Sequence, residues 1–195
     1  MRLEQLTLDT LTPDQRELFD VIAGTRADGS IPARIVDEHG ALQGPFNAML
    51  HYPALGYPIQ DLGAFLRFRG LLPARARELV ILVAAAAARS EFEWWAHVRI
   101  GHAVGLTDAE IDAVRDGASP ELTNSVEQAA LDTARATTSG NHDLDDDQYE
   151  RVRDALGDQM LIETLMLVGY YTALALQMRV FRVPLPEGAT PAFER

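Results

Sequence analysis

Apolar residues recur along this chain at intervals of three and four, and alternation of period two is scarce. That pattern predicts helices and few strands. Thr12 and Pro13 put a capping residue ahead of a proline at the first helical position, which predicts a helix over about 13–23. Residues 24–43 are rich in Gly, Pro and charge and predict a long irregular segment. Pro53 opens a helix that Gly70 ends near 68–70, and Pro73 opens the next. The interior of that helix, 78–88, is apolar on every face, so it must be buried all round. A further helix spans about 90–104 and is closed by Gly105. Thr107 and Glu110 have capping-box spacing and open a helix that ends near Gly117. Helices over 125–138 and 145–156 follow, the second capped by Asp145 with Gln148 and terminated by Gly157. A long apolar helix covers 160–181, and Pro184 and Pro186 lead into a tail expected to be loose.

The fold class read from this pattern is all-α: a single-domain helical bundle of about seven to eight helices. Its divisions are an N-terminal helix and irregular segment (1–43), a helical domain (44–182) and a C-terminal tail (183–195). The string around Glu78 is faintly echoed around Glu163, each a glutamate entering an apolar helix.

Charge narrows the partners. The formal net charge is −12, from 29 acidic and 17 basic residues, with no basic cluster. Such a chain repels phosphate backbones and anionic lipid, so neither a nucleic acid nor a membrane is an expected partner. There is no cysteine, which removes disulfides, thiolate metal sites and cysteine nucleophiles. The first residues lack a signal-peptide core, and the longest apolar run, 79–88, is ten residues where a membrane helix needs about 20. The expected compartment is the cytoplasm.

Candidate chemistry is concentrated between Glu78 and His97. Glu78 is either a wet first-turn acid favoured by the helix dipole or a buried carboxylate that needs a partner, a raised pKa or both. Ser90, Glu93, Trp94 and His97 share one helical face, with Glu93 four residues before His97. That pair reads as a general acid–base unit or as a structural ion pair. A metal site on Glu78, Glu93 and His97 lacks the paired Glu-x-x-His motifs of helix-bundle metal centres, and no metal is expected. His51, His102 and His142 stand isolated. No Gly-rich phosphate loop follows a strand, so no cofactor is expected.

The stretch from Leu72 through Arg75, Arg77 and Glu78, then Ser90-Glu-Phe-Glu93-Trp94-Trp95-Ala-His97, then Gly105-Leu106-Thr107 and Glu110-Ile111, resembles the carboxymuconolactone decarboxylase-like superfamily. Softer similarity runs from about residue 44 to 182. The resemblance implies an all-helical fold, a homo-oligomer (trimer or hexamer) and a small-molecule substrate. The family's redox branch, of the alkylhydroperoxidase D type, has a glutamate, a Cys-x-x-Cys pair and a histidine. Those positions here are Glu78, Ser90, Glu93 and His97, so disulfide-based peroxide reduction is excluded on chemistry. The lactone decarboxylase branch implies a cofactor-independent lyase or proton-transfer enzyme acting on a small carboxylated lactone or related carbonyl compound. On that reading the catalytic residues are Glu78, Glu93 and His97, and Arg75, Arg77, Ser90 and Trp94 bind substrate. The alternative is a non-catalytic oligomeric binding protein on the same scaffold.

Overall fold

A computed structural model describes residues 1–25 and 35–193. Among them are eight helices and no strand: α1 (Pro13–Thr25), α2 (Phe46–His51), α3 (Pro53–Phe68), α4 (Ala74–Ala87), α5 (Glu91–Ala103), α6 (Asp108–Arg115), α7 (Ser125–Thr138) and α8 (Asp146–Phe181). The predicted capping boxes are both present, at Thr107 with Glu110 and at Asp145 with Gln148. α2 is a single short helix that sequence patterning passes over. α8 joins the two helices predicted around Gly157. The glycine adopts φ 68° and ψ 167°, which kinks the helix without ending it.

α4 is the axis of the larger core. Leu79, Val80, Ile81 and Leu82 have no exposed surface, and α5, α6, α7 and α8 pack around them. Each such side chain contributes about 1.5–3 kcal/mol by leaving water. A second core joins Leu18, Ile22, Leu42 and Leu50 to Leu174 and Met178 near the end of α8. Tyr170 packs against both cores. The seam between them is where the site lies.

Two segments expected to be irregular or loose are folded. Residues 26–34 of the irregular segment lie outside the described residues, but Val36 bridges to Leu42 and Ala41 to Thr7. Asp37 Oδ1 accepts the backbone N–H of His39 and Ala41 at 2.9 Å each, which closes that turn. The tail returns to the start of α5. The Glu91 carboxylate accepts the backbone N–H of Ala192 at 2.8 Å and of Phe193 at 3.2 Å. The Phe193 ring meets Trp94 edge-on at 5.4 Å, with the Arg89 guanidinium 5.7 Å from its centre. α8 is long and apolar enough by length and composition to cross a membrane, although uninterrupted apolar runs are short. Within this fold 44% of its most apolar window is buried.

Candidate active site

The buried, all-apolar setting of α4 forces a question on Glu78, which has no exposed surface. Its partners come from two other helices and from its own. His97 on α5 places Nδ1 2.7 Å from Glu78 Oε2. Arg67 on α3 donates through Nη1 to Glu78 Oε1 at 3.3 Å and to the Tyr171 hydroxyl of α8 at 3.5 Å. Arg77, one residue before Glu78, brings Nε to 3.9 Å. The His97 and Tyr171 rings meet edge-on at 5.0 Å. Burial pushes Glu78 toward the neutral form, but His97, Arg67 and Arg77 outweigh it and hold the carboxyl below its usual range. Glu78 is therefore an acceptor only, and His97 Nδ1 must carry the proton between them.

Burial holds His97 below the usual imidazole range, Glu78 opposes that shift, and Arg67 and Arg77 reinforce it. The imidazole is thus neutral near pH 7. Its Nε2 makes no hydrogen bond to the described residues and keeps a free lone pair. Tyr171 stays a phenol, because burial raises its pKa.

Glu93 stands in the opposite condition. It is 3% exposed, and neither carboxyl oxygen has a regular hydrogen-bond partner. Burial pushes its pKa up to about 8, with Ser90 pulling against that. Near neutral pH Glu93 is mostly an uncharged acid, able to donate.

A cavity of about 80 Å³ opens beside these groups. A single water needs about 10–15 Å³ on this measure, so the space suits a compact molecule of about one ring. Arg67, Glu93, His97 and Tyr171 line it together with Phe46, Phe92, Trp95, Tyr170 and Leu174. Phe92 reaches its place because Gly44, at φ 63°, has no Cβ; a methyl there would overlap the ring. Gly63 on α3 lets Tyr170 approach in the same way.

Several expected contacts are corrected. His97 pairs with Glu78 across the helices, not with Glu93 along α5. Arg75 points to the far side of α4, where it binds Glu127 at 2.9 Å, Glu110 at 2.7 Å and the Gly105 carbonyl. It does not line the cavity. Arg77 lies behind Glu78 and donates to the Leu72 carbonyl at 3.4 Å. Ser90 is buried at the start of α5, beside Glu93 and off the cavity wall. Trp94 turns into the core, and its neighbour Trp95 forms the wall. Glu163 resembles Glu78 in sequence but is structural: it accepts the backbone N–H of Leu71 at 2.6 Å and Leu72 at 3.2 Å. Among the described residues no three His, Asp or Glu converge as a metal shell. Arg67 is the group that sequence reasoning missed. It falls beside the buried stripe Gly56, Gln60, Gly63 and Leu66 of α3, and a charge on that stripe is the signal.

Solved structures share the whole fold at low identity. A cysteine-to-alanine variant of the debrominase Bmp8, in complex with 2,3,4-tribromopyrrole, is 13% identical over 96% of this chain and 92% of its own, with a TM-score of 0.73. The alkylhydroperoxidase AhpD core of an uncharacterized peroxidase-related protein from Ralstonia eutropha is 16% identical over 95% and 92%, with a TM-score of 0.74. A protein of unknown function from Agrobacterium tumefaciens is 22% identical over 74% and 99%, with a TM-score of 0.64. No curated protein matches the chain. Residues 53–136, which carry α3, Glu78, Glu93 and His97, match the Carboxymuconolactone decarboxylase family. The family match is thus confined to that central block, in a chain that carries no cysteine.

Proposed function

We propose that this protein is a cofactor-independent proton-transfer enzyme acting on a small carbonyl compound, with His97 Nε2 as the atom that moves the proton. The observation that carries this reading is a neutral imidazole, oriented from behind by a buried carboxylate, with its second nitrogen free at a cavity. Glu78 fixes the tautomer and stabilises the imidazolium formed when Nε2 takes a proton. The Glu93 carboxylic acid supplies a hydrogen bond, or a proton, to the oxygen of the resulting enolate. Two reactions draw on these groups. In enolisation, His97 removes a proton next to the carbonyl and returns it. In decarboxylation, the version suggested by the family likeness, the bond to the departing CO2 breaks. Its electron pair enters the carbonyl as an enolate, and because His97 Nε2 rests without a proton, the Glu93 carboxylic acid supplies the one that ends on carbon. The single-ring ligand of the debrominase agrees in size with the cavity here. The cysteine replaced in that debrominase structure can have no counterpart in a chain without cysteine.

The test is deuterium incorporation from D2O next to the carbonyl of small lactones and ketones, followed by NMR. Exchange should be faster with the protein than with its His97→Gln variant. Equal rates for both, across the panel, would remove His97 from this role.

The same scaffold is proposed to act as a homo-oligomer, trimer or hexamer. The support is a run of exposed apolar side chains: Leu55 and Phe65 on α3, and Ile162, Met166 and Leu176 on α8. Light scattering on the purified protein checks it.

A further inference from the structure

Within the proton-transfer reading, on which it rests and whose enolisation branch it selects over decarboxylation, we infer that the cavity takes molecules that are uncharged on entry: compact, unsaturated carbonyl compounds rather than carboxylates. The first support is the groove that adjoins the cavity. An outer groove shares Gln43 and Phe92 with the cavity. Its lining carries Asp37, Glu38 and Glu187, and among the described residues no lysine or arginine. His39 faces the same groove, 3.6 Å from Glu38. An approaching carboxylate therefore meets three acidic side chains on a protein of formal net charge −12.

The second support is the balance of charge inside. Among the described residues Arg67 is the only lysine or arginine on the cavity wall, and Glu78 already pairs with it. Arg77 lies behind the wall, where burial and Arg67 work against its charge and Glu78 and Glu163 only partly offset them. His97, Tyr171 and Glu93 are uncharged near pH 7. Arg67 and Arg77 share the Glu78 carboxylate, so an incoming anion has to compete with Glu78 for Arg67. Glu93 itself reports how this space treats a carboxylate. With only Ser90 to set against burial, it retains its proton well above the usual carboxyl range.

The third support is what remains unpaired. Arg67 Nε and Trp95 Nε1 are buried donors without partners, and both residues line the cavity. A carbonyl oxygen satisfies such donors without bringing a net charge. His97 Nε2 then faces an acidic hydrogen of the same molecule, and the aromatic walls take its planar body.

Three five-membered oxygen heterocycles test this at pH 7: neutral 2(5H)-furanone, anionic 2-furoate and cationic furfurylamine. Binding is read by fluorescence in a Trp94→Phe variant, which leaves Trp95 in the cavity wall as the sole tryptophan. Furanone should bind at least tenfold more tightly than furoate. A Glu38→Gln, Glu187→Gln double variant should improve furoate severalfold and leave furanone unchanged. Tighter binding of either charged probe than of furanone overturns the inference, while deuterium exchange dependent on His97 would leave the proton-transfer reading standing. If none of the three binds, the inference is overturned. If exchange is also absent, the proton-transfer reading falls with it.

Discussion

Two arginine–carboxylate networks flank α4, and they differ in what surrounds them. On one side Arg75 joins Glu110 and Glu127, with 29% of the arginine side chain exposed. On the other, Arg67 joins Glu78, and the side chains are 9% and 0% exposed. The bonds on the Arg75 side are the shorter ones. Water nevertheless screens them, and they tie α4 to α6 and α7 without enclosing space. The Arg67 side has longer contacts but no water to relax into, so each group fixes the charge state of the next. Tight ion pairing does not by itself mark a functional site. A dry setting and an adjoining cavity do.

The largest effect should come from Glu78→Gln, which leaves Arg67 and Arg77 without their shared counter-charge. A loss of about 3–5 kcal/mol is expected in chemical denaturation, together with loss of exchange activity. Next is Glu93. A carboxyl whose pKa rises from 4.5 to about 8 on folding holds a proton that the unfolded chain releases. Stability should therefore fall as pH rises through that window, by about 3 kcal/mol at pH 7. Glu93→Gln should abolish that slope in denaturation curves taken across the pH range. Tyr171→Phe removes one acceptor from Arg67 and should cost about 1 kcal/mol. Smallest is Glu127→Gln in the exposed network. It should cost under about 1 kcal/mol, an effect that fades in added salt, and exchange rates should not change. If Glu127→Gln matched Glu78→Gln in thermal and kinetic assays, the distinction between the two sides of α4 would collapse.

The sequence was most informative where one residue's setting had a single physical outcome. An apolar helix all round had to be central, and α4 is. A carboxylate entering such a helix is either a wet first-turn acid or a buried group in need of partners, and Glu78 is the second. Which partners was not legible. Arg67 belongs to another helix, and only the tertiary packing of α3, which lies against α8, brings it near. The spacing of Glu93 and His97 permitted a contact, but the stronger demand of Glu78 turned the imidazole away. The choice between Trp94 and Trp95 failed for a different reason. α5 lies between the core and an apolar cavity, so hydrophobicity does not tell its two faces apart, and one residue is about 100° of rotation. The tail was read as loose because proline and glycine suggest it, while the pairing of Glu91 with Ala192 and Phe193 spans a hundred residues and leaves no local trace.

Gly63 has a consequence for how this scaffold changes over time. It sits inside α3, where alanine is a better helix former, yet a methyl group there would collide with the Tyr170 hydroxyl at the cavity wall. Helix propensity and cavity shape pull this one position in opposite directions. Its side chain acts as a size adjustment that leaves every hydrogen bond of the Glu78 cluster in place. A lineage could exchange one ligand for another through such a position and never alter its acid–base machinery.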